Sequence, residues 1–301
     1  MKELIKEISK NKIGKIEKNI PLRKKTTYKV GGTAKLIIVP KNINKLILLL
    51  KILKKKNIDY KILGNGSNLI FSDKVYSNVL IKLDELKHYE INDTIVKAEA
   101  GCSLISIANK TAKMGLTGME FATGIPGTIG GAVYMNAGAY KSDMGYIVSE
   151  VKVLNPNMEI ITMYNKDLNY KYRSSFFQKN KDYIILEATI VLKKGNKEII
   201  KEIIEDRKKK RLMTQPLEFS CAGSVFRNPE NDYAGRLVEI CGLKGYTIGG
   251  AEVSKKHANF IINTGHATAK DVHDLILYVR DTVKKEIGID LMIEQEFVNW
   301  E

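Results

Sequence analysis

Cysteine is scarce in this chain, occurring three times in 301 residues as Cys102, Cys221 and Cys241. The number is odd and no CxxC pair occurs, which argues against a disulfide framework and fits a reducing compartment. Long apolar runs are missing too. The first twenty residues never run apolar for more than two positions, so they contain no signal-peptide core. The greasiest stretch, Leu46–Leu53, is broken by Lys51 and falls far short of the roughly 20 residues a membrane helix needs. The four histidines, His88, His257, His266 and His273, have neither HxxxH nor HExxH spacing. No zinc site is expected, and His257 reads as structural. Repeats and low-complexity linkers are absent as well. A soluble, cytoplasmic protein is expected, most simply a monomer.

Acidic residues are short at one end only. The chain carries 49 Lys+Arg against 34 Asp+Glu, a net charge of +15. Residues 1–56 hold 17 basic and 3 acidic side chains, whereas the remaining 245 hold 32 and 31. The excess is therefore one N-terminal block, with a smaller cluster at Arg207–Arg211. Nothing resembling a zinc finger, a leucine heptad or an RNA-binding aromatic signature accompanies it, so a solvated basic face is favoured over nucleic-acid binding.

The length allows two domains, and 44% hydrophobic residues supply apolar material for their cores. Patterning predicts strands at 35–39, 60–63, 69–71, 79–83, 94–98, 148–154, 159–162, 183–192, 258–262 and 291–298. Helices are predicted at 42–56 with Asn42 as N-cap, at 103–114 between Ser103 and Gly115, and at 197–211, 232–241 and 268–287. The helix around 197–211 makes the best domain boundary.

Two glycine segments carry the chemistry. Gly64-Asn65-Gly66-Ser67-Asn68 lies between two predicted strands. It is not a Rossmann fingerprint, because a third glycine would be due at Leu69 and no helix follows. It is either an ordinary turn or a run of backbone N–H groups open to an anion. The second segment runs Gly124-Ile125-Pro126-Gly127-Thr128-Ile129-Gly130-Gly131-Ala132 and continues to Asn136-Ala137-Gly138-Ala139. Its glycines strip side chains from one surface, which suits either a flat or phosphorylated ligand on the backbone or a close helix–sheet contact. Thr128 sits where a helix would start.

Together with Gln215-Pro216-Leu217, Ala222-Gly223-Ser224-Val225-Phe226-Arg227-Asn228-Pro229, Ala234-Gly235-Arg236-Leu237-Val238-Glu239, Gly250-Ala251-Glu252-Val253-Ser254 and His257-Ala258-Asn259-Phe260-Ile261, these segments resemble the UDP-N-acetylenolpyruvoylglucosamine reductase family. The matches run in order from about Tyr28 to Glu296. The resemblance implies an α+β fold, with an FAD-binding module of the vanillyl-alcohol-oxidase (PCMH) type over residues 1–200. That module would comprise two α+β subdomains with a core at about 27–192. A smaller α+β substrate-binding domain would follow over 201–301, its C-terminal strand returning to the active site. The activity implied is NADPH-dependent, FAD-mediated reduction of UDP-N-acetylglucosamine enolpyruvate to UDP-N-acetylmuramate in peptidoglycan synthesis. The alternative is another FAD-linked oxidoreductase on the same module.

The family's catalytic positions fall on Arg173, Ser224 and Glu296. The resemblance assigns FAD to Gly64, Asn65, Gly66, Ser67, Asn68, Gly124, Pro126, Gly127, Thr128, Gly130, Gly131 and Ala132. It assigns the UDP-sugar to Arg173, Gln215, Arg227 and Asn228. No histidine lies in the first glycine loop, so FAD is expected to be non-covalent. Arg173 would grip a carboxylate with its planar guanidinium, and Ser224 would donate a proton. Period-2 alternation puts Glu294 and Glu296 on one face with Met292, and only the resemblance selects Glu296. The sequence departs from the family where Phe297-Val298 replaces Val-Arg, and where Lys141 stands in place of a frequent glycine. The short interval between Arg173 and Gln215 leaves little room for the extra tyrosine-bearing loop of the longer reductases, so the chain resembles the shorter subtype.

Overall fold

Strands rich in Ile, Val and Leu, separated by helices whose apolar residues recur at three- and four-residue spacing, build two units with separate cores. The computed structural model describes residues 1–300. The first unit comprises residues 1–18, 36–65 and 78–207, and the second 19–35, 66–77 and 208–300. The α+β class expected from the sequence is the class observed. Among the described residues no helix is long and apolar enough to cross a membrane.

The first unit contains a five-stranded antiparallel sheet. Its order is Ile160–Tyr164, Val148–Leu154, Ile184–Val191, Ile95–Glu99, Tyr89–Asn92, with Val151 opposite Ala188 and Ala188 opposite Ala98. The central strand Ile184–Val191 is buried at six of its eight positions, as a strand with neighbours on both sides and covered faces should be. A second sheet includes Tyr60–Leu63, which pairs in parallel with Tyr76–Lys82. The Ile43–Lys55 helix returns between its strands. Asn42 caps it by accepting from the Lys45 N–H at 2.9 Å, and it buries Leu46, Leu49, Leu50, Ile52 and Leu53. The N-terminal helix Lys2–Lys10 and strand Gly14–Pro21 have no counterpart in the sequence expectation, because Lys and Asn dilute the pattern. Leu4 and Ile8 nevertheless bury one face of that helix.

The second unit holds a three-stranded antiparallel sheet, Thr247–Ile248, Ala251–Val253 and Ile261–Asn263, which packs with the Ala269–Ile287 helix. The expected strand at 258–262 begins three residues later, because Ala258 and Asn259 form a turn. The expected strand at 291–298 shrinks to Glu296–Val298, which pairs in parallel with Leu69–Phe71. Residues 291–295 bury Leu291 and Gln295 and pair with the rest of the unit through an isolated bridge, Phe226 to Ile293. The helix at 197–211 extends to Thr214, and the units divide within it, after Arg207.

Candidate active site

The first glycine segment joins strand Tyr60–Leu63 to strand Leu69–Phe71. Gly66 has φ +62°, and a Cβ there would lie 2.2 Å from the Lys25 carbonyl oxygen, so the fold itself demands glycine. Gly64 answers to a different neighbour. A Cβ on it would approach the Thr128 Oγ1 to 3.1 Å, and Asn65 Nδ2 donates to the Pro126 carbonyl at 3.4 Å. The two glycine segments thus abut at Gly64 and Asn65. Lys82, 8% exposed, secures the first by donating to the Gly64 carbonyl at 3.1 Å while pairing with Asp84.

In the second segment Thr128 caps the Ile129–Met135 helix, its Oγ1 accepting from the Gly131 N–H at 3.2 Å. Both readings of this segment find their glycines. A Cβ on Gly130 would meet the Ala100 Cβ at 2.9 Å, which is a close helix–sheet contact. A Cβ on Gly127 would meet nothing within 4 Å. Its φ is not in the left-handed region. Neither packing nor backbone conformation therefore requires glycine at 127, and a bare backbone there suits a ligand. Gly131 is exposed and Pro126 is exposed, whereas Ala132 is buried.

Arg173 lies in the first unit, and a single helical turn, Phe176–Lys179, separates it from the strand Ile184–Val191. Its φ of +52° is uncommon for a residue with a Cβ and is held by its surroundings. Lys171 and Ser174 exchange backbone hydrogen bonds at 3.0 and 2.9 Å around it. Asn136, 1% exposed, donates to the Lys171 carbonyl at 2.9 Å, and Gln178 donates to the Arg173 carbonyl at 3.0 Å. The guanidinium Nη2 donates to the Gly138 carbonyl at 2.7 Å, and its Cζ lies 5.1 Å from the Tyr172 ring centroid. Gly138 belongs to a tight hairpin whose turn residues, Tyr140 and Lys141, both have positive φ, +55° and +60°. Lys141 therefore occupies a left-handed turn position that glycine fills without strain.

Ser224 and Glu296 lie in the second unit. Ser224 is half-buried and follows Gly223, whose φ is +73° with open space where a Cβ would be. Past the serine the chain is pinned by a backbone bond from Val225 N–H to the Asn259 carbonyl at 2.9 Å. A two-point contact also joins the Asn259 side-chain amide to the Phe226 N–H and carbonyl, both at 2.9 Å. Glu296 opens the last strand, its N–H donating to the Asn68 carbonyl at 2.9 Å, while Asn68 Nδ2 donates to the Glu294 carbonyl at 3.0 Å. Asn68 is thus joined to the C-terminal segment through both its side chain and its backbone. Ser67 is half-buried beside it.

Gln215 accepts from Arg211 Nε at 2.9 Å. Asn228 Oδ1 accepts from the Ala234 N–H at 3.1 Å, at the start of the Ala234–Ile240 helix. Arg227 keeps a buried Nε with no hydrogen-bond partner. Burial lowers the His257 pKa and raises that of the Cys221 thiol. His257 Nδ1 accepts from the Asn259 N–H at 3.2 Å, and its ring packs against Phe260. Among the described residues no group of three or more His, Cys, Asp or Glu is arranged to hold a metal.

Four supporting roles are not assigned from the sequence, those of Lys82 and Gln295 and of Asn136 and Asn259, although the last two lie within the quoted motifs. Gln295 leaves a signal of another kind, as a polar residue in the same alternation phase as Leu291, Ile293 and Phe297.

A model of the UDP-N-acetylenolpyruvoylglucosamine reductase C-terminal domain matches residues 215–298, and an FAD binding domain model matches residues 34–164. The UDP-N-acetylenolpyruvoylglucosamine reductase of Caldanaerobacter subterraneus subsp. tengcongensis is 45% identical over 298 residues, 99% of this chain and 96% of that protein. The enzyme of the same name from Bacillus subtilis is 41% identical over 299 residues, 99% of each. A crystal structure of UDP-N-acetylenolpyruvylglucosamine reductase (MurB) from Thermus caldophilus matches with a TM-score of 0.81 at 31% identity, covering 94% of this chain and 98% of that one. Glycine segments, Ser224 turn and C-terminal strand therefore sit in a chain related to these proteins along its whole length, and it belongs to the UDP-N-acetylenolpyruvoylglucosamine reductase family.

Proposed function

We propose that this chain is a UDP-N-acetylmuramate dehydrogenase. It reduces the enolpyruvyl ether of UDP-N-acetylglucosamine enolpyruvate to the lactyl ether of UDP-N-acetylmuramate, with NADPH as hydride donor and non-covalent FAD as carrier. In a cell this is a cytoplasmic step of peptidoglycan synthesis, on which cell shape and division depend. The observation that carries the reading is the abutment of two glycine segments beside a bare backbone at Gly127, in a member of this family.

The residues present fit a flavin dinucleotide. Gly127 leaves open the volume that a Cβ would fill, and Asn65, Pro126 and Gly131 are exposed in the same unit; the proposed site extends to the rest of the two glycine segments, Gly64, Gly66, Ser67, Asn68, Gly124, Thr128, Gly130 and Ala132. When bound, FAD supplies a two-electron carrier that NADPH and the enolpyruvyl group use in alternation at one site.

This chain's own groups handle charge and proton. Hydride addition to one carbon of the enolpyruvyl double bond leaves negative charge delocalised toward the carboxylate, and the neighbouring carbon takes a proton. Arg173, its guanidinium plane steadied by the Gly138 carbonyl, grips that carboxylate and stabilises the developing charge. Ser224 gives its hydroxyl proton to the neighbouring carbon, and Glu296 assists the proton's replacement and the local electrostatics. Gln215, Arg227 and Asn228 hold the sugar nucleotide. The buried, unpartnered Nε of Arg227 supports this, since such a donor is costly to bury unless a ligand completes it.

Ser224→Ala tests the assignment by half-reaction. Flavin reduction by NADPH is expected to stay within about twofold of wild type, while reoxidation by the enolpyruvyl substrate slows by about 10²–10⁴-fold. Equal losses in both half-reactions would contradict the role given to Ser224.

A further inference from the structure

Gln295 lies between Glu294 and Glu296 and is 4% exposed. Its Nε2 donates to two carbonyls of one turn, Ala222 at 3.2 Å and Ser224 at 3.3 Å. Its Oε1 accepts from the Tyr28 hydroxyl at 3.1 Å. Tyr28 is fully buried, and its own carbonyl accepts from Asn263 Nδ2 at 2.9 Å. An amide has two N–H donors and one carbonyl acceptor, and here every one is committed. The Tyr28 hydroxyl also fixes which way the amide faces. Reversed, Oε1 would confront two carbonyl oxygens and both turn carbonyls would lose their donors.

We propose that Gln295, oriented by Tyr28, is a positioning residue that aims the Ser224 hydroxyl for proton delivery; the inference rests on the role of Ser224 proposed above. The argument is one of leverage. Gly223 is in the left-handed region at φ +73° with open space where a Cβ would be, so no side chain at 223 helps to define the turn between buried Ala222 and half-buried Ser224. On its far side the chain is fixed by Val225 and Phe226 on Asn259. On its near side the Gln295 amide ties the carbonyls flanking Gly223 into one geometry. Gln295 is itself held in register, because Asn68 binds the Glu294 carbonyl before it and the Glu296 N–H after it. A single buried amide therefore links the turn that carries the proton donor to the strand that carries Glu296. A serine hydroxyl is a weak acid, so its contribution depends on accurate aim, and a displacement near 1 Å costs about 100-fold.

The test uses the flavin-loaded protein and three variants, Gln295→Met, Tyr28→Phe and Ser224→Ala, with the half-reactions followed separately. Methionine keeps the length of glutamine and removes both donors. Gln295→Met is expected to slow reoxidation by the enolpyruvyl substrate by about 30–100-fold. The solvent deuterium isotope effect on that step should rise, as proton delivery becomes limiting. Flavin content and the NADPH half-reaction should stay within about twofold. Tyr28→Phe removes one oxygen and leaves the amide in place, so reoxidation should fall by about 3–10-fold. Amide hydrogen exchange at residues 223–225 should accelerate in both variants.

Wild-type reoxidation in Gln295→Met and Tyr28→Phe, alongside slow reoxidation in Ser224→Ala, would overturn the inference alone. Parallel losses in both half-reactions, or loss of bound flavin, would give Gln295 a merely structural role and overturn it too. Wild-type reoxidation in Ser224→Ala would remove the role of the serine and the inference with it. Should Gln295→Met not fold, Tyr28→Phe decides by the same criteria.

Discussion

Glycine by glycine, the two glycine segments separate what the fold needs from what the proposed flavin site needs. Gly66 is fixed by its positive φ and the Lys25 carbonyl, and Gly130 by its contact with Ala100. Gly127 is fixed by neither. Gly127→Val is therefore expected to leave the melting temperature of the flavin-free protein unchanged while weakening FAD binding about tenfold or more, at least about 1.4 kcal/mol. Flavin titration and thermal melts of the same preparation check this, and an unchanged FAD affinity would remove Gly127 from the site. The sequence alone could not divide these glycines, because a missing side chain looks the same whether backbone or ligand takes its space. Gln295 shows the opposite limit. Its phase was legible in the alternation, but its partners Tyr28 and Ala222 are remote in sequence, and no local pattern announces them.

Among the elements, the Ala269–Ile287 helix shows why some boundaries were readable to within a residue. Thr268 and Asp271 form a capping box, Gly288 closes the helix at φ +80°, and Ala269, Val272, Leu275, Ile276, Val279 and Val283 bury one face. Each signal lies within the helix's own sequence. Its start also engages a distant partner, Asp73, which accepts from the Ala269 and Lys270 N–H groups at 3.0 and 2.9 Å. The C-terminal strand was less legible because its pairing with Leu69–Phe71 extends over only three residues, whereas alternation continues beyond the ladder.

A pH test belongs to the same helix. Burial works to raise the Asp271 pKa, but hydrogen bonds from the Thr268 and Gly250 N–H groups and the Thr268 hydroxyl outweigh it, and the net direction is down. A carboxylate depressed on folding contributes stability above its ordinary value of about 3.9 and loses it as pH falls through the folded value. Asp271→Ala is expected to destabilise the protein by about 1–2 kcal/mol at pH 7. In urea unfolding the gap from wild type should narrow as pH falls below about 4. A gap independent of pH would contradict the charge-based account of the cap.

Across the whole molecule, the basic N-terminal block is not one structural feature. Residues 1–18 and 36–56 belong to the first unit and residues 19–35 to the second. Lys56 pairs with Glu7 at 3.1 Å and Lys15 pairs with Glu17 at 2.6 Å. Composition counts the charges, and only the folded chain distributes them. The α+β class and the family were readable because the motifs of both glycine segments and the Ser224 turn survive in order along the chain. The interleaving of the units was not, since residues 66–77 join the second unit through pairings such as Ile70 with Phe297, far apart in sequence.

The central claim is the reaction, and an anaerobic visible spectrum of the purified, FAD-loaded protein tests it most directly. NADPH is added first and UDP-N-acetylglucosamine enolpyruvate second. The account predicts flavin bands that bleach with NADPH and return in full with the sugar nucleotide. Bands that bleach and do not return, or a protein that takes up no FAD, would contradict it.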